Sequence, residues 1–284
     1  MTNIEEIRTI IKKVPMFSHS AMRLMEVTND PNHSLMEVVR IVEADAVLTA
    51  QVLKVVNSAA FGLSGKVDEI KRAAALLGDK IIVGLAIGHS QSHIYNQELE
   101  GYGAEAGALW EHSLRTAIAS RELAKFSGDK VSPGLAYTAG ILHDIGKSII
   151  AGFMGGKTDL LMKFADENSD KNFLDAEKEV VGVTHAEVGY ELAKHWNFPL
   201  VFQTACLYHH NPSMAQAEDK HLAYVIHLGD ILAMMGGSST GADAMMYTMD
   251  SNYTDYLTVS SDELNNIMLN VIIEFEKTRE MIFN

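Results

Sequence analysis

Apolar side chains in this chain recur at the three-to-four-residue spacing of an α-helix, and almost nowhere do they alternate with polar ones as in a half-buried strand. No Asn-Gly hairpin signal appears. A chain patterned this way buries its apolar stripes helix against helix. The punctuation agrees. Ser34 with Glu37, Thr184 with Glu187 and Ser260 with Glu263 each have the spacing of a reciprocal helix cap. Ser132 precedes Pro133, a cap residue before a first-turn proline. The five prolines (Pro15, Pro31, Pro133, Pro199, Pro212) fall where helices can end or begin. Leu264, Ile267, Met268, Val271, Ile272 and Phe275 form one apolar helical face near the C-terminal end. These features predict an all-α protein of about a dozen helices, each near the usual three turns.

With 284 residues the chain has length for one large or two ordinary domains. A boundary is expected in "YNQELEGYGAEAG", where three glycines and several acids separate two apolar segments. Residues 1–98 are read as an N-terminal helical lobe and residues 99–284 as a second helical lobe. "NSAAFG" in the first lobe is small enough for close helix approach, or simply for packing in that lobe's core. "GGSSTGADAMMYTMDSNYTDY" reads as a loop or weak helix. The net charge of −14 argues against a protein that grips phosphate backbones, so no nucleic acid is expected. No apolar run approaches the ~18 residues of a membrane span. A single cysteine, Cys206, fits a reducing compartment, and the cytoplasm is the expected location.

Twelve histidines are many for this length. Five of them, with two aspartates, stand in five segments of the second half: "WEHSLRT" (His112), "LHDIGK" (His143, Asp144), "VTHAEVG" (His185), "LYHHNP" (His209, His210) and "HLGDIL" (Asp230). Imidazole with carboxylate is the donor set of a first-row divalent ion, whereas all-oxygen sets suit Mg or Ca. Seven donors exceed the four of one tetrahedral ion and suffice for a pair sharing a bridging carboxylate. One or two ions are expected, Fe or Mn ahead of Zn, Co or Ni, with Asp144 as the bridge. Lys147 follows Asp144 by three residues, within reach on a helix, and its ammonium would need an anion such as phosphate between itself and the metals. Gly146 would leave the backbone open to a ligand, and Arg115, three residues after His112, would face the same pocket. The competing reading is that each histidine is a hydrogen-bonded core residue. His89 and His93 are a rival pair at ligand spacing without further donors nearby, and Trp196 and Phe198 of "KHWNFP" read as core.

The order of several blocks resembles the HDOD family. They are Val14-Pro15, "NDP", Ser34, "EADAVLTAQVLKVVNSAAFG", Ile70 and "ALLG", followed by "LWEHS", "GILHDIGK", "THAEVGYELAKHWNFP", "YHHNP" and "HLGDIL". The resemblance covers nearly the whole chain. It implies two helical lobes related to the HD phosphohydrolase superfamily, and a bacterial signal-transduction role. The seven donors match metal positions of the HD-GYP branch, with Lys147 matching a phosphate-facing cation. Asn211 and Pro212 stand where that branch carries an acidic residue and the start of its "GYP" loop, which argues against cyclic dinucleotide hydrolysis.

Two functions follow from different classes. One is a regulatory module with a metal pocket and a protein partner. The other is a metal-dependent phosphohydrolase acting on a phosphoester, a phosphorylated small molecule or a nucleotide. In the second, Asp144, Lys147 and Arg115 would be the catalytic groups, and metal-activated water would attack phosphorus in line.

Overall fold

The computed structural model describes residues 3–283 except 31, 59–62, 64, 168–171, 239, 244 and 245. The Pro31 boundary and residues 59–62 of "NSAAFG" therefore lie outside the described residues. The described residues form fifteen α-helices and no strand; one antiparallel bridge joins Leu99 and Ala104. The first six helices are α1 (Asn3–Ile11), α2 (His19–Asn29), α3 (Leu35–Glu43), α4 (Ala46–Val56), α5 (Ile70–Ser90) and α6 (Ser92–Tyr95). The remainder are α7 (Ala108–Ala124), α8 (Pro133–Leu142), α9 (Lys147–Met154), α10 (Thr158–Glu167), α11 (Phe173–Val181), α12 (His185–His195), α13 (Leu200–Tyr208), α14 (Lys220–Met235) and α15 (Ser261–Phe283). The fold is all-α. Among the described residues no helix is long and apolar enough to cross a membrane.

The expected caps form. Ser34 and Thr184 each accept from the backbone three residues on, while Glu37 and Glu187 reach back to the cap. Ser260 and Glu263 do the same. Ser132 accepts from Leu135 N, with Pro133 in the first turn. Gly78, at φ +77°, interrupts α5, a conformation that costs a residue without a side chain little.

Helices α2 to α5 pack on one another. Helix α7 is the spine of the remainder and packs against α8, α14 and α15. Small residues set those distances. A β-carbon at Gly140 of α8 would stand 2.7 Å from Ala117 Cα, and one at Gly229 of α14 would stand 3.1 Å from Ser120 N. The backbones of α8 and α14 thus lie directly on α7. His112, His143 and Asp230 are brought together by these approaches. Helix α1 packs against α9 and α12, burying Ile7 and Ile11. Trp196 and Phe198 are core, in edge and tilted contact with Phe17, and Trp196 Nε1 donates to Pro15 O. The glycine-bearing segment between α6 and α7 is itself packed: Leu99 and Tyr102 are buried, and Tyr102 O accepts from Ala242 N at 2.7 Å.

Candidate metal centre

The five donor segments reach one buried cluster from five places. His112 lies on α7. His143 and Asp144 occupy the turn between α8 and α9. His185 opens α12, His209 and His210 follow α13, and Asp230 lies on α14. None of the seven is more than 6% exposed. Asp144 is central. Its Oδ1 stands 3.3 Å from His185 Nε2 and 3.4 Å from His209 Nε2, and its Oδ2 stands 3.4 Å from His112 Nε2 and 3.5 Å from His143 Nε2. Asp230 lies 2.9 Å from His112 Nε2, 3.7 Å from His143 Nε2 and 3.6 Å from His210 Nδ1. Two groups result, His112/His143/Asp144 and Asp144/His185/His209/His210. Within each, the candidate donor atoms lie within 4.8 Å of one another.

Four rings are turned by a hydrogen bond on the far side. Nδ1 donates to Gly140 O in His143 (2.7 Å), to Cys206 O in His209 (2.7 Å), to Ser238 O in His112 (3.2 Å) and to Glu177 in His185 (2.8 Å). In the neutral ring this leaves Nε2 unprotonated and aimed inward, the arrangement of metal-binding histidines. The inner atoms are poorly satisfied. His112 Nε2, His143 Nε2, His210 Nδ1, both Asp144 oxygens and Asp230 Oδ2 make no well-directed hydrogen bond although buried, with Asp144 Oδ2 facing the Lys147 ammonium at 2.6 Å and His112 Nε2 facing Asp230 at 2.9 Å. His185 Nε2 faces His209 Nε2 at 3.3 Å and His210 Nε2 at 3.1 Å, nitrogen against nitrogen. Buried polar atoms without partners are costly, and a cation would satisfy them together. The cluster fits a divalent metal site.

The charges agree with that at Asp144, Asp230, His209 and His210, whereas against their burial the neighbouring carboxylates hold the His112 ring above its ordinary value and the His185 ring up to about 9. Burial would raise the Asp144 carboxyl, but the Lys147 ammonium and the surrounding imidazoles hold it well below the usual carboxylate range. Asp230 is held low against its burial by His112 and His143. Burial pushes His209 down to about 4 and, with His209 beside it, His210 well below its ordinary value. Both are neutral at pH 7, the form a metal requires.

Three expectations are corrected. Gly146 does not open the backbone to a ligand: a β-carbon there would meet His185 O at 1.9 Å and Gly189 N at 2.5 Å, so the glycine seats the turn on α12. Arg115 turns away from the cluster, with its guanidinium 3.7 Å over the Phe275 ring and Nη2 donating to Glu276 on α15. Lys147 does lie over Asp144, at 2.6 Å, but across a turn rather than along a continuous helix. Its ammonium also meets Asp243 Oδ2 at 2.5 Å and Thr240 Oγ1 at 2.8 Å, so a carboxylate of this chain stands where an external anion was expected.

Four contributors escape sequence reasoning. Thr240, Asp243 and Tyr247 lie in the segment read as a loop or weak helix; Tyr247 stacks on His210 with centroids 3.7 Å apart and donates to Asp243. Nothing local marks them. Glu177 did leave a signal: it shares the buried stripe of α11 with Phe173, Leu174 and Val181, an unusual place for a carboxylate. His33, His89, His195, His221 and His227 have ordinary partners. His89 and His93 are exposed and His89 bonds Gln51, whereas buried His227 donates to His209 O and accepts from Asp250 N.

Comparison with known proteins follows the same lines. The HDOD domain family model matches residues 14–212. A curated relative, an uncharacterised protein of Treponema pallidum (strain Nichols), is 27% identical over 216 residues, which cover 75% of this chain and 40% of the relative. The chain thus spans well under half of that relative's length. Among solved structures, an HDOD domain protein of unknown function from Geobacter sulfurreducens superposes with a TM-score of 0.70 at 22% identity, over 99% of this chain and 100% of that one. A protein ascribed to signal transduction in Marinobacter aquaeolei VT8 superposes with a TM-score of 0.76 at 20% identity, over 99% of this chain and 64% of that one. Each superposition spans nearly all of this chain, and the family model covers most of it: the chain belongs to the HDOD domain family.

Proposed function

We propose that this chain is a bacterial signal-transduction regulator that keeps an HD-type metal pocket as a structural or ligand-sensing centre. One observation carries the choice of regulator over enzyme. The ammonium that would meet a substrate phosphate, Lys147, is buried and engaged by Asp144, Asp243 and Thr240. Family membership and the likeness to the Marinobacter protein support the same reading. Its output would be contact with a protein partner, and a phosphorylated small molecule or nucleotide would be the ligand sensed.

His112 and His143, with Asp230 beside them, would hold a cation on one side of Asp144, and His185, His209 and His210 on the other, with Fe or Mn the favoured ions and Zn, Co or Ni the alternatives. When bound, such an ion supplies Lewis acidity toward water and phosphoryl oxygens. The protein's own residues orient the donors through Gly140, Cys206, Ser238 and Glu177, and they exclude water. Tyr247 covers His210, and Asp243 holds Lys147.

The second reading, a metal-dependent phosphohydrolase, is favoured by the completeness of the donor set. In it Asp144 would bridge and Lys147 would face the substrate once released from Asp243; Arg115, held on α15, would have no part. Elemental analysis and Mn or Fe titration, followed by assays on a generic phosphoester and a cyclic nucleotide panel, separate the two. Stoichiometric metal without turnover is expected. Turnover that Asp144→Ala abolishes would establish the enzyme, and failure to take up any metal would remove the pocket from either reading.

A further inference from the structure

The two sides of Asp144 differ in what stands behind the histidines. On one side His112 and His143 lean on neutral backbone carbonyls, Ser238 O and Gly140 O. On the other, His185 leans on a carboxylate. Glu177, 0% exposed, accepts from His185 Nδ1 at 2.8 and 2.9 Å, from His185 N at 2.8 Å and from Tyr102 Oη at 2.5 Å. It has four hydrogen bonds from three donors and, among the described residues, no lysine or arginine partner. A buried carboxylate in that position gains from any positive charge placed beyond the imidazole it holds.

Charges on the first side offset one another. Asp230 adds a carboxylate there, 2.9 Å from His112, but the Lys147 ammonium sits 2.6 Å from Asp144 Oδ2, the oxygen that faces His112 and His143. Asp144 Oδ1 is the oxygen that faces His185 and His209. A cation entering beside Oδ2 meets Lys147 at close range. One entering beside Oδ1 meets an imidazole backed by Glu177.

Resting on the metal-pocket reading, we propose that Glu177 is a positioning residue that makes the two halves of the cluster unequal, so that the Asp144/His185/His209/His210 half takes the first divalent cation. The carboxylate locks His185 with Nε2 inward and strengthens it as a donor. Glu177 touches no cation itself.

The test is calorimetric titration of the full chain with Mn(II) after chelator treatment. Two unequal steps are expected. Glu177→Gln should weaken the tighter step about 10- to 100-fold, the usual loss when a ligand's outer partner is removed, and should leave the weaker step unchanged. Glu177→Asp, which keeps the charge, should recover part of the loss. If Gln prevents folding, the Asp variant decides alone, with the same selective weakening expected of it. Should the parent take up a single Mn(II), that one step must weaken. Equal weakening of both steps, or no change in either, overturns the proposal while leaving the metal pocket standing. A parent that binds no Mn(II) overturns both.

Discussion

Gly146→Ala tests how the site is built, because the substitution adds one methyl where only backbone can receive it. The β-carbon would stand 1.9 Å from His185 O, 2.5 Å from Gly189 N and 2.9 Å from His185 C. An ordinary nonbonded contact needs about 3.5 Å, so the α8–α9 turn and α12 must separate by roughly 1.5 Å. Overpacking costs about 1–3 kcal/mol where side chains can yield. None can yield here, so about 3 kcal/mol is expected. At ~2–4 °C per kcal/mol for a chain of this size, the midpoint should fall by about 6–12 °C. The strain falls on His185 at one end and on the His143–Asp144 turn at the other, so metal affinity should fall too. Gly152→Ala is the matched control. Gly152 lies in α9, five residues after the turn ends on Lys147, with nothing within 4 Å of its β-carbon position. Relief of glycine's helix penalty should stabilise that variant by about 0.5–1 kcal/mol. Urea denaturation and Mn(II) titration of both variants make the comparison. A Gly146→Ala protein as stable as the parent, with unchanged affinity, would refute the role assigned to this close approach.

Other outcomes are equally specific. Asp243→Ala should lower stability by about 3 kcal/mol in urea denaturation, near the lower end for a broken buried pair because Asp144 still faces Lys147; adding Lys147→Met should restore part of the loss. Mn(II) at a thousand times its dissociation constant should stabilise the chain by about 4 kcal/mol, reversibly with EDTA and not in Asp144→Ala. Burial raises the Glu122 carboxyl, but Lys125 and Arg121 draw it below its ordinary 4.5 overall. Its stabilisation is therefore present above that value and lost as pH falls through the lower folded one. Glu122→Gln should cost up to about 1 kcal/mol at pH 7, and denaturation curves of variant and parent should converge at pH values below the folded one.

Much of the site was legible as an inventory and little of it as an arrangement. Each of the seven donors read from residue type converges on the buried cluster, where Asp144 lies within 3.5 Å of four of the rings. What each neighbour does was not legible. Lys147 and Asp243 are 96 residues apart, and no periodicity records their meeting. Arg115 is one helical turn from His112, yet Phe275 and Glu276 draw it to the other face. Glu177 was within reach, since its place on a buried stripe could be read from the spacing of Phe173, Leu174 and Val181.

The sequence by itself determined an all-α protein, the position of its caps and the residue types available to the buried cluster. These depend on hydrogen bonds and side-chain spacings within a few residues along one helix, where order in the chain is order in space. Only the tertiary structure decided which ring nitrogen faces inward, that Gly146 is a packing contact, and that Lys147 is held by an internal carboxylate. Those depend on how closely α7, α8, α12 and α14 approach, set by residues such as Gly140, Gly146 and Gly229. Such distances arise from packing between segments remote in the chain.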